Sequence, residues 1–112
     1  MDLVNEILGL QRQLTASIGQ LKRNGVAFAE AERNYKVELN KRVLDLRDEK
    51  MAVTLISLII HGEKSVAELR LKRDIAKTIY ETNLEHINAT KLQIRIIENQ
   101  ISREWGNGKN VT

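Results

Sequence analysis

The sequence predicts an all-α protein: a long, coiled-coil-like antiparallel helical hairpin with a short apolar helix at the bend, assembling into a dimer or tetramer. Three observations predict it. Apolar side chains recur every three or four residues along both halves of the chain, as one face of an α-helix requires. Proline is absent from all 112 residues, and 29% of them are charged, so nothing interrupts long, well-solvated helices. Between the two periodic halves lies "MAVTLISLII", residues 51–60, whose polar side chains are only Thr54 and Ser57.

The first long helix is expected at about 3–47. Leu3, Ile7, Leu10, Leu14, Ile18, Leu21, Gly25, Phe28, Ala31, Tyr35, Leu39, Val43 and Leu46 form one stripe, roughly 67 Å of helix at 1.5 Å per residue. Steps of four outnumber those of a strict heptad, so any supercoil is weak. Asn24-Gly25 is a turn signal inside this stretch. The stripe keeps its phase from Leu21 to Phe28, which favours a continuous or gently bent helix over a turn.

The short helix is expected at 52–60. Gly62 suits the left-handed position that ends a helix, and "SVAE", Ser65 to Glu68, reads as a capping box opening the next one. The second long helix, about 66–104, carries the stripe Val66, Leu69, Arg73, Ala76, Tyr80, Leu84, Ile87, Thr90, Ile94, Ile97, Ile101 and Trp105. Residues 1–105 then make one hairpin domain and 106–112 a flexible tail. Two stripes of this length stay wet on a straight rod, so the helices double back, with 41–50 beside 64–77.

In that arrangement Leu55, Ile56, Ile59 and Ile60 can tuck between the long helices, covering about half of these side chains. The run is too uniformly apolar for one face. Val53, Leu58 or their neighbours are left for another surface. The candidate partner-binding residues are therefore Met51, Val53, Leu55, Leu58 and Ile59. Farther along, Ile94, Ile96, Ile97 and Ile101 cannot all face a single partner helix, which argues for self-association.

Several classes of function find no support in the residues. There is no cysteine, which removes disulfides and thiolate metal sites. His61 and His86 are too far apart for a metal pair, and His61 reads as the end of the short helix, so no metal or other cofactor is expected. Asp45, Asp48 and Glu49 lie among Arg42, Arg47 and Lys50, the pattern of a solvated face with local ion pairs. No Gly-rich phosphate loop or nucleophile–base pair appears, so an enzyme is not expected. The start has an acidic second residue and no apolar core, unlike a signal peptide. The apolar run is about half the ~20 residues a membrane span needs. A cytoplasmic location without membrane contact follows.

The net charge is +3, from 18 basic and 15 acidic side chains, a mild excess for a nucleic-acid binder. Arg70, Lys72, Arg73 and Lys77 are the candidate phosphate contacts, without interleaved aromatics for stacking. Arg73 falls on the apolar stripe, where its stem packs and its head pairs with an acid. The only tryptophan, Trp105, is expected to close the open end of the hairpin against Leu3 and Ile7. Its position also excludes the small secreted hairpins built round a Trp-x-Gly bend.

Four stretches, "LKRNGVAFAEAERNYKVEL", "LDLRDEKMAVTLISLIIHG", "VAELRLKRDIAKTIYETNLEHIN" and "LQIRIIENQISREWGN", together resemble a family of small helical proteins encoded by phages and prophages of Gram-positive bacteria. The resemblance spans roughly residues 14–107. It implies a protein of the bacterial host cytoplasm, made from a phage or prophage, and transfers no catalytic or binding residue. By analogy with small phage proteins, it implies an adaptor or inhibitor of a host, defence or replication protein. An accessory of phage replication or recombination that binds nucleic acid is the alternative, and a structural or scaffold component is a third.

Overall fold

A computed structural model describes the backbone of residues 2–111 and the side chains of residues 2–106. Its elements are α1 (Asp2–Asp48), α2 (Val53–Ile59), a 3₁₀ turn over Ile60–Gly62, and α3 (Lys64–Val111). No strand occurs among the described residues. The long helices run antiparallel, as the cross-helix pairs Arg42–Glu63 and Glu32–Arg73 require. The fold is the all-α helical hairpin that the two stripes predict. The short helix expected at 52–60 is divided between α2 and the 3₁₀ turn, and α3 starts two residues before the expected 66. α3 runs past the expected end at 104 to Val111, so the backbone is helical over 106–111, where a tail was expected, and residue 112 lies outside the described residues.

Packing divides the chain into a bend unit, Arg23–Tyr80, and a terminal unit, Met1–Lys22 with Glu81–Thr112. In the bend unit, Tyr35 and Leu46 of α1, Ile56 of α2, Ile60 of the 3₁₀ turn and Val66 of α3 form one buried cluster. Leu39, Val43, Met51 and Leu69 pack round it. Val66 is wholly buried at 0% exposure. Each such side chain contributes about 1.5–3 kcal/mol by leaving water. Away from the bend, Phe28 and Tyr80 pack with ring centroids 5.9 Å apart.

Gly25 lies inside continuous α1, so the turn signal at Asn24-Gly25 is overridden. Its bare α-carbon faces the Tyr80 ring: a β-carbon there would stand 3.4 Å from Cε1. A β-carbon would thus meet the ring in van der Waals contact.

α1 ends at Asp48, beside the expected 47, but through a left-handed residue that the sequence reading had not singled out. Gly62 does not adopt the left-handed conformation; Lys50 does, with φ 64°. The Lys50 amide donates to the Arg47 carbonyl at 2.9 Å, and the Met51 amide reaches back to the Leu46 carbonyl at 3.1 Å. These are the two bonds of a Schellman motif, and Met51 and Leu46 belong to the same apolar packing. The break thus falls before the apolar run, and a lysine bears roughly 1–2 kcal/mol of backbone strain to make it. Gly62 closes only a 3₁₀ turn, which needs no positive φ.

The capping box is likewise not the start of α3. Glu63 is extended, with φ −59° and ψ 132°, and its carbonyl accepts the first helical bond, from the Ala67 amide at 2.8 Å. Ser65 is already in the first turn, because helix begins as soon as the chain leaves the 3₁₀ turn.

In the terminal unit the buried side chains are Ile87, Thr90 and Ile94, all on α3. Leu3, Ile7, Leu10, Leu14 and Leu21 of α1 are half-buried, and Ile18 is exposed. Ile97 and Ile101 join this seam while Ile96 points outward. The Asn83 amide crosses it to donate to the Ser17 carbonyl at 3.2 Å. Trp105 does not close this end, being 70% exposed. With Asn83 opposite Ser17, Trp105 lies 22 residues farther along α3, past the start of α1 at Asp2.

Candidate functional site

The bend is built by three local rules. The Schellman motif at Lys50 turns the chain sharply out of α1. Ala52, extended at φ −62° and ψ 138°, then starts α2, and its carbonyl accepts from the Ile56 amide at 3.0 Å. With so short a helix, side chains four apart share one face: Ile56 and Ile60 point into the core. What remains points outward. Val53, Leu55, Leu58 and Ile59 are all exposed, Leu58 at 81%, while Met51 is half-buried against the core. Of the four side chains expected to tuck inward, Ile56 and Ile60 do so and Leu55 and Ile59 do not. About two turns of helix have only one inner face.

The rim of this apolar tip is polar and partly tied down. The Arg42 guanidinium bonds Asp45 and Glu63, each at 3.2 Å. The Glu63 carboxylate, chiefly, raises its pKa, so Arg42 stays charged. His61 is exposed in the 3₁₀ turn, with Nδ1 3.4 Å from the Tyr35 hydroxyl. Arg47, Lys50 and Lys64 are exposed beside the tip. Among the described residues no three His, Cys, Asp or Glu side chains converge as a metal site would need. None of their helices is long and apolar enough to cross a membrane.

The four basic candidates on α3 separate by environment. Arg70 and Lys72 are exposed, as is Lys77, which has a protein partner. Arg73 is engaged in the seam. Its Nε bonds Asp74 at 2.8 Å, its Nη1 reaches Glu32 at 3.4 Å, and its guanidinium lies 4.7 Å from the Tyr35 ring centroid. Burial opposes its charge, and the bonds and field of Asp74 and then Glu32 outweigh that, raising its pKa. The stripe position of Arg73 foretold this internal role.

One apolar surface in the bend unit escaped the sequence reading. Leu71, Ile75 and Ile79 follow one another at four-residue spacing on α3, and all are exposed. A shallow groove of about 210 Å³ runs beside them, lined by Asn24, Ala27, Lys72, Ile75, Ala76 and Ile79. The signal was available as a second stripe at helical spacing; the stronger seam stripe on the same helix masked it.

Comparison of the chain with protein-family models, with curated proteins and with solved structures returns no match.

Proposed function

We propose that this is a non-enzymatic protein that acts by protein–protein contact, with the bend as its docking surface. One observation carries the reading: α2 presents Val53, Leu55, Leu58 and Ile59 to solvent although the same segment anchors the core through Ile56 and, in the 3₁₀ turn that follows, Ile60. Apolar side chains displayed on a rigid, capped bend form a small anchor patch of the kind that fills a partner's pocket. Arg47, Lys50 and Lys64 supply a polar rim, which favours a partner with acidic surroundings to that pocket. The resemblance to phage and prophage proteins suggests an adaptor or inhibitor working in the cytoplasm of a bacterial host, on a host, defence or replication protein.

The test is affinity capture from host lysate, with and without nuclease, comparing the natural chain with Leu58→Glu and Val53→Glu. A protein retained by the natural chain after nuclease and lost by both variants, with helical circular dichroism unchanged, supports the reading. Loss of helicity together with capture would make these side chains core and end it. Capture that disappears with nuclease and weakens steeply with salt would move the function to nucleic acid, through Arg70 and Lys72.

A further inference from the structure

We infer that the ridge Leu71–Ile75–Ile79 on α3 is a homodimer interface, covered by the same ridge of a second copy of this chain. The inference stands independently of the bend reading.

The first argument is area. The chain exposes 8410 Å² for a mass of 12.8 kDa, where a compact folded monomer of that mass exposes roughly 6,300 Å². The surplus, roughly 2,000 Å², exceeds the ~800 Å² per partner of a standard stable interface and fits the larger obligate homodimers.

The second argument is the form of the patch. Side chains at four-residue spacing make a ridge of the kind that packs into the groove of another helix. The groove beside this ridge is lined by the small side chains Ala27 and Ala76, which allow a second helix to approach closely. The ridge is also nearly symmetric about its centre, with Ile75 flanked by Leu71 on one side and Ile79 on the other. A twofold axis through Ile75 therefore sets Leu71 of one copy against Ile79 of its partner, an isologous contact. Lys72 is the only charged side chain that lines the groove, so apolar contact rather than charge dominates this surface.

The experiment uses the full chain, whose lack of cysteine makes one introduced thiol a unique probe. Sedimentation equilibrium should give twice 12.8 kDa for the natural protein. Ile75→Glu should weaken self-association at least about 100-fold by burying an unpaired charge, with helicity retained because position 75 is 51% exposed. Under mild oxidation, Ile75→Cys should form a disulfide-linked dimer and Val37→Cys, at an exposed position of α1, should not. Leu58→Glu should leave the mass unchanged. A monomeric natural chain overturns the inference, as does a dimer that survives Ile75→Glu or a cross-link at position 37 but not 75. A monomer produced by Leu58→Glu moves the interface to the bend and also overturns it.

Discussion

The bend unit and the terminal unit are made from the same two helices and the same kind of stripe, yet they are packed differently. In the bend unit, side chains from α1, α2, the 3₁₀ turn and α3 converge, and Tyr35, Leu46, Ile56, Ile60 and Val66 are all buried. Among the described residues of the terminal unit only α3 supplies buried side chains, and the α1 side chains of the stripe remain half-exposed or exposed. Two helices alone bury a single row of side chains, here Ile87, Thr90 and Ile94 of α3. A third element, even one of two turns, roofs the seam and converts it to a core.

That comparison can be broken most directly by truncating one isoleucine in each unit. Ile56→Ala is expected to lose about 3–4 kcal/mol, because neighbours from several elements hold the cavity open. Ile87→Ala is expected to lose about 2 kcal/mol, since a two-helix seam can close on the gap and alanine favours helix. Urea unfolding of the two variants measures the difference; equal losses would mean that α2 adds nothing to the packing.

A smaller effect isolates the cost of the bend itself. Lys50→Gly removes a side chain from a left-handed position and keeps both Schellman bonds, so it should raise stability by about 1 kcal/mol in thermal unfolding. Smallest of all is Thr90→Val in the terminal unit. The Thr90 hydroxyl donates only to the His86 carbonyl of its own helix, at 2.8 Å. That carbonyl keeps its helical amide without it, so the variant should change stability by less than about 1 kcal/mol, in the stabilising direction. A clear loss would assign Thr90 a role in the seam beyond filling space.

The seam was legible in the sequence because burial along a helix follows a fixed spacing. Leu69, Arg73, Ala76, Tyr80, Leu84, Ile87, Thr90 and Ile94 fall where the stripe puts them, and even Arg73 meets its expected acid in Glu32. Trp105 fits the spacing and fails, because spacing fixes a face of α3 but not how far α1 extends beside it. The cap residues failed for another reason. Gly62 and Ser65 carry the right propensities, but a helix ends where the whole turn closes, and Lys50 accepts strain so that Met51 can reach Leu46. At the bend, the surplus of apolar side chains was visible from "MAVTLISLII", while the division of Ile56 and Ile60 from Leu55 and Ile59 depended on which single face of α2 met the core.

The spacing of the cross-helix pairs also implies an order of assembly. Arg42 and Glu63 are 21 residues apart in the chain, Tyr35 and His61 are 26, Glu32 and Arg73 are 41, and Ser17 and Asn83 are 66. Closing the widest loop first costs about 1 kcal/mol more entropy than closing the narrowest. Once the bend has closed, each later pair adds only a few new residues to an existing loop. The hairpin is expected to zip from its apolar tip toward its ends. In stopped-flow traces, Ile56→Ala would then slow folding, whereas Ile87→Ala would mainly hasten unfolding. The greasy segment that holds the finished bend together is, in that sequence of events, also where the chain first commits to folding.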